Sequence, residues 1–126
     1  MAKGNFSFEN LDIWNKAIEF AKIIIGLTES INGERKHYRL IEQLESAATS
    51  IALNIAEGSG RYSKKEFIRF LYVARGSLYE TITLLKIFQD NRWIAEEQFL
   101  SIKEFSQVIA KMLSGLINSL KKVSNT

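Results

Sequence analysis

The chain contains neither cysteine nor proline. Without thiols it can form no disulfide, use no thiolate nucleophile and offer no thiolate to a metal. Without proline, nothing removes an amide donor from a helix or crowds its preceding turn, so long uninterrupted helices are open to it. Histidine is almost absent too, with His37 the single case. A diiron helix bundle needs two Glu-x-x-His pairs, so one imidazole excludes it. Small helical ribonucleases set an arginine some four to six residues before a catalytic histidine, and nothing suitable precedes His37. A Ser-His-Asp triad would need an orienting acid and a buried cleft, and the helical rows described below supply neither. His37 stands in or beside a turn among Arg35, Lys36 and Arg39, the place of a surface loop residue. The acids are scattered with no inward pair. The expectation is a protein that is not an enzyme and uses no cofactor and no metal.

Long apolar runs are missing as well. None approaches the roughly 18 residues of a membrane span, and the opening "MAKGNFSFEN" lacks the apolar centre of a signal peptide. A cytoplasmic protein with no membrane contact is expected. At 126 residues the chain suits one domain, residues 1–126, with one core. Its net charge of +3 is small but unevenly spread. Residues 1–34 hold three cations and five acids, residues 35–75 eight and four, and residues 76–126 six and five. The middle third is the basic part, which permits an acidic partner without requiring one.

What the chain does have is helical period. Leu11, Trp14, Ile18, Ala21 and Ile25 recur in alternating steps of three and four, and Ile13, Ala17, Phe20, Ile24, Leu27 and Ile31 do the same beside them. A bundle helix needs one such stripe, so helix 1 has one to spare. Helix 2 carries Ile41, Leu44, Ala48, Ile51 and Ile55, with small residues that allow close approach of a neighbour. Phe67, Leu71, Ala74, Leu78, Ile82 and Leu85 mark helix 3; Ile102, Phe105, Ile109, Met112, Leu116, Leu120 and Val123 mark helix 4. The spans are approximately 8–31, 38–57, 64–90 and 95–123, with Gly33 suited to the end of the first. Nothing alternates with period two. Short connections then favour an all-α, antiparallel up-down-up-down four-helix bundle.

The stretch "NIAEGSGRYSKKEF" places two glycines beside lysines. A Walker loop needs glycines separated by four residues, then Lys and Ser or Thr, between a strand and a helix. Gly58 and Gly60 are separated by one residue and follow a helix, so a phosphate cradle fails. A turn explains more. Gly58 can take the left-handed conformation that ends helix 2, and Ser63 with Glu66 has the spacing of a capping box opening helix 3. Asn54 and Glu57 can form a polar pair that fixes this turn, or simply meet solvent; the structural role is preferred.

In an up-down bundle this turn shares an end with both termini, so Arg61, Lys64, Lys65 and Arg69 gather with Lys3, Lys121 and Lys122. Such a cluster is a candidate nucleic-acid contact; alternatively Lys121 and Lys122 only complement the helix 4 dipole. The opposite end, with Arg35, Lys36, His37 and Arg92 among several acids, is nearly balanced. On helix 3, Tyr72, Arg75 and Tyr79 share a face with Ile68 and Ile82. Tyrosine and arginine together are enriched at interfaces and can stack bases, although boundary tyrosines with wet hydroxyls are also common. With the spare stripe of helix 1, represented by Ile13, Phe20, Ile24 and Leu27, this face is the candidate self-association surface. Gly76, midway along helix 3, suggests a close helix crossing.

"QLESAATSIALNIAEGSGRYSKKEFIRFLYVARGSLYE" resembles the centre of the four-helix-bundle proteins encoded in intervening sequences of bacterial ribosomal RNA genes, the S23 ribosomal protein family. "FENLDIWNKAIEF" resembles that family's opening helix and "KMLSGLINSLKK" its ending, so the likeness covers nearly the whole chain. That family is similar to the accessory variability determinant proteins of diversity-generating retroelements. The resemblance implies four-helix protomers in a barrel-like homopentamer, with RNA or DNA and a reverse transcriptase or other protein as partners. After "QL" the family often has arginine where this chain has Glu45 and Ser46, which removes positive charge from helix 2. The proline usual near the end of the family's helix 1 is also missing.

Overall fold

A computed structural model describes residues 6–31 and 37–124, the last two as backbone only. Lys3, Gly33, Arg35, Lys36 and the side chain of Val123, all invoked above, lie outside what is described. Four helices follow a short 3-10 helix, Ser7–Asn10: α1 (Asp12–Ser30), α2 (Tyr38–Ser59), α3 (Lys64–Asp90) and α4 (Glu96–Ser124). No strand occurs among the described residues, and no helix there is long and apolar enough to cross a membrane.

The first helix starts at Asp12, about four residues later than the expected span. Leu11 is extended (φ −85°, ψ 124°) and separates the 3-10 helix from α1. Asn15 holds the break by donating its amide to the carbonyls of Glu9 (3.1 Å) and Leu11 (3.0 Å). The entry segment then packs through its rings, with Phe8 5.1 Å from Trp14. At the other end of the bundle α3 closes in a Schellman arrangement. Trp93 N donates to Phe88 O (2.9 Å) and Arg92 N to Gln89 O (2.9 Å), so otherwise orphaned carbonyls are satisfied. Arg92 occupies the left-handed position (φ 65°) usually given to glycine. The accompanying apolar contact is Trp93 against Phe88, edge-on at 4.9 Å. His37 stacks on the same Trp93 at 4.0 Å, so the lone imidazole is a packed ring rather than a free loop residue.

α2 packs most extensively on α3; α1 on α2 and α3 on α4 are intermediate, and α1 on α4 is the thinnest seam. One core runs through the middle, with Phe20, Ile24, Leu44, Ile51, Ile55, Leu71, Leu78, Leu85, Phe88, Ile109, Leu113 and Ile117 wholly or almost wholly inaccessible. This corrects the assignment on α1. Ile13, Phe20, Ile24 and Leu27 are core residues and offer no surface to a second copy. Period shows two apolar stripes but not which one the neighbours cover, and the stripe carrying Phe20 is the one that meets Phe105 of α4 (5.9 Å). The stripe left at the margin is Leu11, Trp14 and Ile18, half-buried, and Ile25, exposed. On α4 the expected row holds at Ile102 and Ile109, but elsewhere the core side sits one residue further on. Ile102, Ser106, Ile109, Leu113 and Ile117 are buried, while Phe105, Met112, Leu116 and Leu120 are half-buried.

Polar groups between α2 and the helices beside it are matched. Thr28 Oγ1 donates to Glu45 Oε2 (2.5 Å) across α1–α2. Ser50 and Ser77 hydroxyls meet at 2.9 Å across α2–α3, and Asn54 Nδ2 donates to Ser50 Oγ and to its carbonyl, both at 2.8 Å. Asn54 and Glu57 therefore do not form a pair. Asn54 bonds back along α2, whereas Glu57 points forward to Arg61.

The α2–α3 turn differs from its expected geometry at one decisive position. No glycine among the described residues has positive φ. Gly58 is still helical and buried, and α2 continues to Ser59 with Gly60 (φ −88°, ψ 0°) as its C-cap. What Gly58 supplies is room: a Cβ there would stand 2.6 Å from Phe70 Cβ and 3.0 Å from Phe67 Cδ1. Gly76 is the opposite case. An added Cβ meets nothing within 4 Å, so no helix of this chain crosses closely there.

The two glycines separate in a stability experiment. Gly58→Ala presses a methyl against the base of Phe70, which cannot swing away, and should cost about 1–3 kcal/mol. Gly76→Ala should stabilise by about 1 kcal/mol, because it adds helix propensity without a clash. Urea unfolding of both variants measures the contrast; equal effects would contradict the packing at Gly58.

Candidate functional site

The turn from α2 to α3 is held at both ends. Gly60 N donates to Glu57 O (3.2 Å) and Arg61 N to Gly58 O (3.1 Å). Ser63 is the N-cap of α3, its Oγ accepting from Glu66 N at 3.1 Å. The Glu66 carboxylate takes Arg69 (3.2 Å). Arg61 reaches back to Glu57 at 2.7 Å. Both guanidiniums also lie against one ring: Arg61 Cζ is 4.7 Å and Arg69 Cζ 4.8 Å from the centroid of Phe70. Cation–π contact of this kind adds about 0.5–1 kcal/mol at exposed sites. Arg61 and Arg69 are thus positioned and locally neutralised.

Lys64 and Lys65 are not. Both are exposed, and among the described residues neither they nor Lys122 is held by an ion pair. They occupy the first turn of α3, the positive end of the helix dipole, where a cation is unfavourable by about 0.3–1 kcal/mol. Two uncompensated charges are therefore kept where the local field opposes them. An anion from outside would relieve both.

Further along the same side of α3 lies Tyr72. Lys121 Nζ donates to its hydroxyl at 2.7 Å. With the ring centroid 5.3 Å away, the ammonium sits beyond the hydroxyl rather than above the ring. Arg75 covers a face instead, Cζ at 4.8 Å, and its Nη1 donates to Ser114 Oγ of α4 (3.3 Å). The Lys121 hydrogen bond, joined by the charges of Lys121 and Arg75, holds the Tyr72 hydroxyl below the ordinary tyrosine value of 10.0. Partial desolvation acts the other way and is outweighed.

The two groups singled out in the sequence consequently meet. Lys121, counted with the basic end, is bonded to Tyr72, counted with the tyrosine face. Lys65, Arg69, Tyr72, Gly76 and Tyr79 follow one another at steps of three and four, all exposed, along one side of α3. Beside Tyr79 opens an apolar groove between α3 and α4 of about 330 Å³, lined by Leu78, Ile82 and Ala110, with Lys103 and Gln107 at its edge. Two residues of the site carry no distinctive spacing. Phe70 reads as a core aromatic, and only the turn geometry brings two arginines onto it. Tyr62 lies in the quoted glycine stretch, but its complete exposure depends on how that turn is folded.

Residues 9–115 match the 23S rRNA-intervening sequence protein family. The chain belongs to that family. The match spans all of α1, α2 and α3 and most of α4. A solved structure agrees with this membership: a protein with unknown function from the S23 ribosomal protein family of Bacteroides thetaiotaomicron VPI-5482. It is 31% identical over 83% of this chain and 97% of its own, with a TM-score of 0.78. No curated protein matches the chain.

Tyr72 offers a spectroscopic check on the site. Tyrosinate absorbance followed through alkaline titration should contain one early component among four tyrosines. Tyr72→Phe should remove it, and Lys121→Met should move it upward, since removal of the ammonium disfavours the phenolate. A Lys121→Met curve that overlays the wild-type curve would contradict the Lys121–Tyr72 bond.

Proposed function

We propose that this intervening-sequence protein is a non-enzymatic, oligomeric nucleic-acid-binding protein that engages RNA or DNA through phosphates. The carrying observation is Lys64 and Lys65, two unpaired cations set against a helix dipole. Lys122 adds a third exposed charge, and Arg61, Arg69 and Lys121 flank them in fixed positions. Phosphate oxygens are acceptors that such donors recognise without reading sequence.

The protomer is an up-down-up-down bundle in this reading. Gln43 lies by Glu80, Ser50 by Ser77 and Gly58 by Phe70, numbers rising on α2 as they fall on α3. Tyr72 with Lys121 and Arg75 with Ser114 support the same sense for α3 and α4. The bundle assembles into a homopentameric ring, as the likeness to accessory variability determinant proteins implies. Exposed apolar residues along the α3–α4 grooves, Tyr79, Ile87 and Leu100, favour self-association. A ring repeats the basic turn five times, so cations too few in one protomer act together.

A second reading, an adaptor for a reverse transcriptase or another protein without nucleic-acid binding of its own, is favoured by the same groove and by Tyr72 and Tyr79.

Salt dependence tests the phosphate reading. Wild-type protein should bind oligonucleotides at low salt and weaken steeply as salt rises. Lys64→Ala/Lys65→Ala should lower the slope of log K against log salt by about 1.5, two contacts' worth of counterion release. No binding at micromolar protein and low salt would favour the adaptor. Sedimentation equilibrium tests the assembly: a particle of 14.4 kDa at high concentration would overturn it.

A further inference from the structure

One tyrosine has no place in the packing. Tyr62 is fully exposed, at 105% of its reference area. Among the described residues it makes no ring contact and no hydrogen bond. Of the others, Tyr72 is bonded to Lys121, Tyr79 lines the α3–α4 groove and Tyr38 has an interaction of its own. An aromatic ring standing entirely in water gains nothing from folding. Nor is it on a loose segment. The turn beneath it is tied by the Gly60 and Arg61 amides on one side and by the Ser63 cap on the other. Arg61, the preceding residue, is fixed between Glu57 and Phe70.

The surroundings decide what such a ring can meet. Its sequence neighbours Arg61, Ser63, Lys64 and Lys65 are all polar and exposed. An aromatic anchor for a protein partner sits instead at the centre of a desolvated apolar patch. A ring flanked by uncompensated cations matches single-stranded nucleic acid, whose bases offer a π-face and whose backbone offers phosphates on either side.

We propose that Tyr62 is a base-stacking platform, so that the Arg61–Lys65 turn holds single-stranded nucleic acid in preference to duplex. Lys64 and Lys65 take the phosphates flanking the stacked base. The bases of a duplex are already stacked on one another and present no free face to the ring. This selectivity rests on the phosphate-binding reading above and adds to it a class of ligand.

The test is fluorescence anisotropy at low salt with the full chain, using labelled oligouridylate, oligodeoxythymidylate and a DNA duplex, each of about 12 nucleotides. Tyr62→Ala should weaken both single strands about tenfold, within the range that loss of one stacked base produces, and leave the duplex unchanged. Tyr62→Phe should bind like wild type, because stacking uses the ring and not the hydroxyl. Full exposure of the side chain means that neither variant should alter unfolding, which circular dichroism checks. If only one of the two single strands binds, weakening of that strand by Tyr62→Ala supports the platform. Unchanged single-strand affinity in Tyr62→Ala, or an equal loss on duplex, overturns the platform while leaving the phosphate reading intact if Lys64→Ala/Lys65→Ala still weakens binding. Wild-type protein that binds none of the three overturns both.

Discussion

The contact that the rest depends on is the missing Cβ of Gly58. Phe70 Cβ stands 2.6 Å from where that carbon would be, so only glycine lets α3 seat its first turns against the end of α2. Phe70 is thereby placed under the turn, and Arg61 and Arg69 close on it from their two positions. The segment between them, with Tyr62, Lys64 and Lys65, is left facing outward. A steric allowance at one buried position in this way becomes the arrangement of charges and rings on the surface above it.

That surface divides its cations into two kinds. Arg61 and Arg69 each have a carboxylate partner and a ring, and their contribution is largely to hold the turn in shape. Exposed ion pairs of this sort add at most about 1 kcal/mol each to stability. Lys64 and Lys65 have neither partner and sit where the helix repels them. The pattern is one in which local preference is violated between two arginines that are both satisfied, which is where function is expected to reside. Tyr62 violates a second preference, burial of aromatic surface, within the same few residues.

The fold was legible because period is a local property. All four helices follow from apolar spacing, and α3 begins at Lys64 and ends at Asp90 where its pattern does. What period could not supply was orientation. Two adjacent stripes on α1 were equally apolar, and only the packing of the neighbouring helices decides that Phe20 faces inward. The same limit displaced part of the core side of α4 by one residue, at Ser106, Leu113 and Ile117. The role of Gly58 was legible as a need for glycine but not as the reason, because a left-handed turn and a crowded helix contact call for the same residue. The Lys121–Tyr72 bond spans 49 positions and has no trace in local pattern. Tyr62 was visible only as a residue type, since exposure is decided by the turn around it.

The unequal seams of the bundle bear on how the molecule comes together. The three more extensive ones each join helices that are consecutive along the chain, whereas the thinnest, α1 on α4, joins its two ends. Loop-closure entropy is smallest for the former and largest for the latter. Most of the native contacts can accordingly form between helices consecutive in sequence before the distant ends must find one another. Such a low contact order places the protomer among chains that fold in microseconds to milliseconds, and makes the docking of the first helix on the last the step most easily reversed.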